Sequence, residues 1–474
     1  MKTRFNVSLL ALLISFSLKA QYSKLNVELV GHWFNPLQTA EPTYGIKYNG
    51  CWAWVDSTDG MKEYAILGSG SGTHIIDLSN PSVPVEKDYV PGRRSGCIWR
   101  EYKTYGKYLY AISDDASPNS FQIIDMSYLP DSVHVVYDGT TIFERAHTLF
   151  IDGDKLYFGS VTLAAAGGYY SMAVYSLANP EVPVLLRQLN QDFAMPTTVH
   201  DMLVRNDTVY ASGGFDGLFF FHYNTTTNTF NAINSLTAYP EQGYNHSSAL
   251  TTNGRTLVFC DEVPRDLAVK VLDVSDLSNI SVDALFRSAN GPTAHNPYIS
   301  GNQFVFISYY QDGLQIYDIS NPLSPVRTGF FDTDTLDGPA NNYNLAGPTY
   351  HGNWGAYIDL PSKLIIAGDM QNGLYILDAS VATGVSENNA SANIISLYPN
   401  PADNEISILI RTKQPERVLI ETIDITGRIV QSSSEQINQG ASTIKLNCQE
   451  IAAGIYVLKI SGSTVNYSGK FVKK

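Results

Sequence analysis

Between Trp33 and Ser380 the chain alternates short apolar runs with turns rich in Gly, Asn, Asp and Pro, and one phrase keeps returning. Its clearest copies are Ile75-Ile76-Asp77-Leu78-Ser79-Asn80-Pro81, Ile123-Ile124-Asp125-Met126-Ser127, Val174-Tyr175-Ser176-Leu177-Ala178-Asn179-Pro180, Val271-Leu272-Asp273-Val274-Ser275, Ile316-Tyr317-Asp318-Ile319-Ser320-Asn321-Pro322 and Ile376-Leu377-Asp378-Ala379-Ser380. A divergent copy, Phe219-Phe220-Phe221-His222-Tyr223, fills the gap after the third. Another apolar strand precedes each copy, such as Lys155-Leu156-Tyr157-Phe158-Gly159, and a further one follows most, such as Pro183-Val184-Leu185-Leu186. Asp216-Gly217, Asp312-Gly313 and Asn372-Gly373 are dipeptides that favour tight hairpins. About four short strands in roughly 40–60 residues, seven times over, predict an all-β fold, a seven-bladed β-propeller, because each unit buries both faces only against its neighbours. The rival, a β-solenoid, uses shorter repeats.

The last unit ends at Ser380 without an outer strand, while Leu25 to Trp33 is an orphan strand near the other end. Pairing the two closes the ring and removes an exposed edge.

Outside the repeats the pattern changes. Met1-Lys2-Thr3-Arg4, the apolar run Val7 to Leu18 and the small Ala20 read as a signal peptide over residues 1–20. No other stretch approaches the roughly 18 apolar residues of a membrane helix, so no transmembrane segment is expected. Residues 381–396 are small and polar, a linker between a propeller over residues 21–380 and a second module over 397–474. That module alternates Ile406, Ile408 and Ile410 with polar residues, the pattern of a small C-terminal β-sandwich. Its Leu397-Tyr398-Pro399-Asn400-Pro401 opening, its Asp424 to Arg428 turn, its Ala453 to Ile460 strand and its Lys470-Phe471-Val472-Lys473-Lys474 close resemble the type A sorting domain of type IX secretion. The resemblance implies the type IX secretion machinery as a partner, passage through the periplasm, and a final place on the outer cell surface or in the medium.

Composition sharpens this picture. The 474 residues are 44% hydrophobic and only 16% charged, with 30 Tyr and 20 Phe, which excludes a disordered chain and favours strands. The formal charge is −14; the first twenty residues carry +3 and residues 397–474 carry +2, so residues 21–396 hold −19. A module that acidic repels phosphate backbones, which excludes nucleic acid as a natural partner and suits cations. Four Cys in a chain this long build no disulfide scaffold, although Cys51 and Cys97 hold matching places in neighbouring units and allow one bridge.

The repeated phrase resembles the LVIVD repeat. The Ser95 to Lys103 string, the Cys51-Trp52-Ala53-Trp54 strand and the recurring His resemble more closely the choice-of-anchor B family, whose members share the surface repeats and differ in the anchor they carry. That resemblance supplies no biochemical activity.

Candidate chemistry lies where the inner strands open. Those openings are Cys51, Cys97, His147, His200, His246, His295 and His351, so five of the nine His occur one per unit in five consecutive units. The second strand runs back to the same rim, where Asp114, Asp115, Asp216, Asp261, Glu262, Asp312 and Asp369 stand. Imidazoles and carboxylates on one rim make a site for a divalent metal, with the five His as ligands, or for another ligand met by Asp261, Glu262, Asp312 and Asp369. The same residues also serve blade-to-blade hydrogen bonding, which their repetition favours. Asp77, Asp125, Asp273, Asp318 and Asp378 read as turn caps. No serine-hydrolase, zinc-protease or calcium-loop string occurs. The expected function is a non-catalytic module binding an extracellular protein, glycan or metal ligand; the alternative is a metal-assisted hydrolase or lyase at the His/carboxylate rim.

Overall fold

The computed structural model describes residues 22–115, 119–164, 168–334, 350–384, 395–398, 401–412, 414–424, 428–463 and 465–474. The expected signal peptide, most of the expected linker, Pro399-Asn400 and residues 425–427 of the expected Asp424 to Arg428 turn lie outside them. The chain divides into two compact units, 1–383 and 384–474. The described residues are all-β, with a single 3₁₀ turn at Leu189–Gln191, and no helix among them is long and apolar enough to cross a membrane.

Seven antiparallel sheets build the first unit among the described residues. The first joins Tyr48–Asp56, Lys62–Ser69, Gly72–Asp77 and Val85–Pro91 in chain order. Five more repeat this order, opening on Arg100–Tyr105, Thr148–Asp152, Asp201–Arg205, Asn245–Leu250 and Asn296–Ser300. The seventh has Asn353–Tyr357, Ile365–Asp369 and Gly373–Asp378, and takes its fourth strand, Glu28–Trp33, from before the first sheet.

The repeat phrase occupies the third strand of each sheet. In every sheet the third and fourth strands shift register once, for example between Ile75 and Ile76, Val174 and Tyr175, and Ile316 and Tyr317. Such a bulge adds twist to the outer part of a sheet. Alternating residues then point to the two faces, and seven apolar clusters each fill the space between consecutive sheets. One of them joins Ile366, Leu374 and Ile376 of the seventh sheet to Ala53, Leu67 and Ile76 of the first. The first strands neighbour one another in the same cyclic order, with Asn353–Tyr357 beside both Asn296–Ser300 and Tyr48–Asp56.

The N-terminal strand does close the edge of the seventh sheet, but it is shared. Lys24–Leu25 pairs with Val326–Phe331 as a fifth strand of the sixth sheet, and the chain crosses to the seventh at Asn26, whose φ is 54°. Asn26 tolerates that left-handed backbone and donates its side-chain N–H to Thr328 O at 2.8 Å. The crossing buries Val27 completely between the two sheets, while Leu25 and Leu29 stay at the exposed margin.

The second unit has two sheets on one core. Ile395–Tyr398, Glu405–Thr412 and Gly440–Asn447 form one; Ile429–Ile437, Glu416–Asp424, Gly454–Ser461 and Asn466–Lys473 form the other. Ile406, Ile408 and Ile410 face Val418, Ile420, Leu458, Ile460 and Phe471 in the shared interior.

Candidate ligand and metal site

All seven first strands contribute to the lining of one cavity of about 820 Å³. Three of the recurring His residues stand immediately before their strands, and the first ladder bond fixes their backbone: His147 N donates to Gly159 O at 3.0 Å, His200 N to Ser212 O at 2.8 Å and His295 N to Ser308 O at 2.9 Å. His246 is the second residue of its strand. Equivalent placement in consecutive sheets lays four imidazoles side by side in the cavity. Ring centroids are 4.0 Å apart for His147 and His200, 4.3 Å for His200 and His246, and 4.2 Å for His246 and His295.

Every Nδ1 in this row has a partner, which settles the tautomers. His200 Nδ1 meets His246 O at 3.2 Å and His295 Nδ1 meets Trp354 O at 2.5 Å; a carbonyl only accepts, so both nitrogens carry the proton. His246 Nδ1 lies 3.0 Å from Ser247 Oγ, and that hydroxyl donates to His295 O at 2.6 Å, so here too Nδ1 is the donor. Nε2 of His200, His246 and His295 therefore carries a lone pair. Ligating imidazoles are held in this way, by a hydrogen bond at the other nitrogen.

Charge within the row is uneven. His147 Nδ1 meets Asp114 Oδ2 at 2.5 Å; burial opposes its charged form, but Asp114, with Glu101 and Glu262 further off, raises it to about 9. Burial and then the positive His147 hold His200 well below its usual value, and burial with the neighbouring imidazoles does the same to His246. Burial pushes His295 down to about 3. The row is one imidazolium followed by three neutral imidazoles.

Besides Asp114, Glu262 is a carboxylate that reaches the row. Its Oε1 accepts Tyr310 OH at 2.7 Å, its Oε2 lies 3.8 Å from His246 Nε2, and burial raises its carboxyl above the usual range. One ligand atom each from His200, His246 and Glu262 fall within 4.8 Å of one another, the one such group of His, Cys, Asp and Glu found among the described residues.

The remaining candidates sit elsewhere. Asp261, next to Glu262, points the other way on its strand and forms a fully buried ion pair with Lys270 at 2.5 Å, plus a bond from Tyr239 OH at 2.8 Å. Asp369 accepts Thr333 Oγ1 at 2.7 Å and the N–H groups of Gln371 and Asn372. Asp312 accepts Gln315 Nε2 through its carbonyl at 2.6 Å. His351 Nδ1 meets Asp334 Oδ2 at 2.5 Å. None of these four is among the residues lining the cavity. Cys51 and Cys97 are buried free thiols: Cys51 packs against Gly368 of the seventh sheet, whereas Cys97 sits in the loop after the first sheet beside Asn119.

Sequence reasoning missed Ser247, Tyr310 and Trp354 as partners of the row. It also missed Glu101, Lys103 and Asp201, which line the same cavity. The charged alternation Glu101-x-Lys103 in a first strand was the available signal, since alternate residues of a strand share one face and these two put opposite charges on it.

Comparison with known proteins agrees with the two-unit division. Residues 396–474 match the family described as the secretion system C-terminal sorting domain, and residues 63–90 and 293–333 match the LVIVD repeat. The chain is thus an exported repeat protein. Its sorting domain directs it through type IX secretion to the cell surface or the medium. No curated protein matches its sequence. Among solved structures, PorZ, a surface component of the type IX secretion system of Porphyromonas gingivalis, aligns at 13% identity over 90% of this chain and 68% of its own, with a TM-score of 0.39. The periplasmic gluconolactonase PpgL of Pseudomonas aeruginosa aligns at 9% identity over 84% of this chain and 99% of its own, with a TM-score of 0.48. Likeness at that level assigns no activity.

Proposed function

We propose that the chain is a cell-surface or secreted seven-bladed β-propeller that binds a divalent transition metal inside its ring as a non-catalytic binding module. In this reading residues 1–20 are a signal peptide, 21–380 the propeller, 381–396 a linker and 397–474 a β-sandwich sorting domain. His200, His246 and Glu262 are the metal ligands; His147, paired with Asp114, and His295 flank them. The observation that carries the reading is the convergence of two imidazoles and a carboxylate within 4.8 Å. Two ligands at about 2.0–2.2 Å from one tetrahedral zinc stand roughly 3.3–3.6 Å apart, so the set must close by about an ångström to complete the coordination. Imidazole with carboxylate suits zinc, iron, nickel or copper rather than calcium or magnesium. The formal charge of the surrounding module favours a cation.

The test is metal analysis of the purified full chain after zinc loading and desalting. One equivalent should remain, and His200→Ala or His246→Ala should remove it. A folded protein that retains no metal overturns the reading. Two His and a Glu with further coordination positions open also form the ligand set of hydrolytic zinc. Zinc-dependent hydrolysis of an activated ester, lost with the same variants, would replace the binding module by the hydrolase.

A further inference from the structure

Further along the first strands than the imidazoles, the cavity carries three charged side chains that the metal reading does not use. Glu101 and Lys103 come from Arg100–Tyr105, and Asp201 opens Asp201–Arg205. Each keeps hydrogen-bonding capacity that the protein does not fill. Glu101 Oε1 receives one long bond from Trp354 Nε1 at 3.4 Å, and Oε2 has no partner among the described residues. Asp201 Oδ1 accepts Thr148 Oγ1 and Met202 N, both at 2.8 Å, while Oδ2 has no partner among the described residues. Lys103 Nζ donates once, to Tyr102 O at 3.2 Å, and lies 4.0 Å from the Trp52 ring centre. The ammonium forms no ion pair within 4.0 Å among the described residues. Burial raises the Glu101 carboxyl and lowers the Lys103 ammonium. These are half-buried groups facing a shared space, and a polar group withdrawn from bulk water is costly unless something bonds to it.

Their chemistry selects a ligand. The two carboxylates need donors and repel phosphates, sulfates and other anions. The ammonium needs an acceptor and repels amines. A neutral ligand that both donates and accepts at several points meets all three, and a ring of hydroxyls does so. Aromatic surface flanks them: Trp52, Phe150, Tyr298 and Trp354 line the same cavity. At its entrance Phe215 is 68% exposed on a tight turn, pinned where Asp216 Oδ2 accepts Thr197 N and Oγ1 at 2.8 and 2.6 Å. Its ring stands 5.0 Å from Tyr244, itself 5.1 Å from His200. A rigid turn that holds an apolar ring in water at a cavity entrance offers a stacking platform for the C–H face of a sugar. The volume of about 820 Å³ lies within the roughly 300–1,000 Å³ of small-molecule sites.

We propose that Glu101, Lys103 and Asp201, with the aromatic rings beside them, form a subsite for a neutral carbohydrate, separate from the His200, His246 and Glu262 set. The full chain, stripped of metal by a chelator, is titrated with glucose, galactose, mannose, N-acetylglucosamine and their di- to tetrasaccharides. Indole fluorescence reports binding, since Trp52, Trp99 and Trp354 line the cavity. At least one neutral saccharide should quench it saturably. Glu101→Gln, Lys103→Met and Asp201→Asn should each weaken that affinity about tenfold or more, the loss of one hydrogen bond to a charged group. Phe215→Ala, at an exposed position that leaves the core intact, should weaken it about threefold. The uronic acid and amino-sugar counterparts of the same saccharide should bind at least about tenfold more weakly. The proposal falls if no neutral saccharide in the panel quenches, if the three variants bind as the parent does, or if spermidine binds more tightly than every saccharide. Because the protein is metal-free, the failure of the metal site leaves this test intact, and the reverse also holds.

Discussion

Two residues each recur in five of the seven sheets described, an Asp at the end of the third strand and a His at the opening of the first, and the fold treats them differently. Asp77, Asp125, Asp273, Asp318 and Asp378 all accept the backbone N–H two residues on, at 2.7–2.9 Å. Where the repeat lacks Asp, Ser176 and Asn224 make the same bond, to Ala178 N at 3.1 Å and Thr226 N at 3.0 Å. The His residues share only their place on the strand. His147 and His351 meet carboxylates, His200 and His295 meet carbonyls, and His246 meets a hydroxyl. The Asp bond is closed within one repeat, so copying the repeat copies the bond. The His bonds, apart from the Ser247 link, reach groups supplied by neighbouring parts of the ring, and those differ from sheet to sheet. Repetition therefore fixed a structural role for Asp and only an address for His.

The largest effect that sharpens this contrast is on metal. His200→Ala or His246→Ala should lower zinc affinity by at least about a hundredfold in competition with a chromophoric chelator, while Asp318→Ala and His351→Ala leave it unchanged. Equal losses from all four would mean that the two sets of residues are not distinct. Next comes Ser247→Ala, which removes the group that fixes the His246 tautomer and should cost about tenfold in the same assay.

Acid should separate the two sets by pH. His295 is held to about 3 by burial, below its unfolded value near 6.5. Its stabilising contribution is complete above pH 6.5 and lost as pH falls towards 3. Partial burial opposes the charged carboxyls of Asp77, Asp125 and Asp318, but hydrogen bonds from Ser, and at Asp125 first of all from Lys107, hold them low, as Ser275 holds Asp273. Their contribution is complete above an unfolded value near 3.9 and is lost only below it. Thermal unfolding of metal-free protein should thus weaken in two windows, and His295→Gln should lessen the upper one, which the buried His200 and His246 share, and leave the lower one as it is. A single decline confined to pH below 4 in the parent would contradict the buried, neutral state of His295.

The smallest effect is that of one turn. Asp318→Ala should cost about 1 kcal/mol of stability, the worth of an ordinary hydrogen bond, and Ser176→Ala about the same or less. Denaturant titration reads both. A loss several times larger would show that the Asp holds more than its own turn.

Much of the fold was legible because it is local. The Ile-x-Asp phrase and the Asn-Gly and Asp-Gly turns marked the third strands and hairpins, and the alternation at Ile406, Ile408 and Ile410 gave the inward face of the second unit. The pairing of Glu28–Trp33 with the seventh sheet was legible too, from an unpaired edge at one end and an unpaired strand at the other. The switch at Asn26 was not, because which edge takes Lys24–Leu25 depends on where the sixth and seventh sheets stand.

The sequence by itself determined the strands, the repeat, the sorting module and the positions of five His at the openings of five first strands, since periodicity and turn chemistry act over a few residues. Only the tertiary structure decided which side chains meet. It set Asp261, the last residue of its strand, against Lys270 and the next residue, Glu262, towards His246, because the partners on either side come from other strands. It gave His147 a carboxylate and left His200, His246 and His295 neutral, because the charge of a buried group is set by partners distant in the chain.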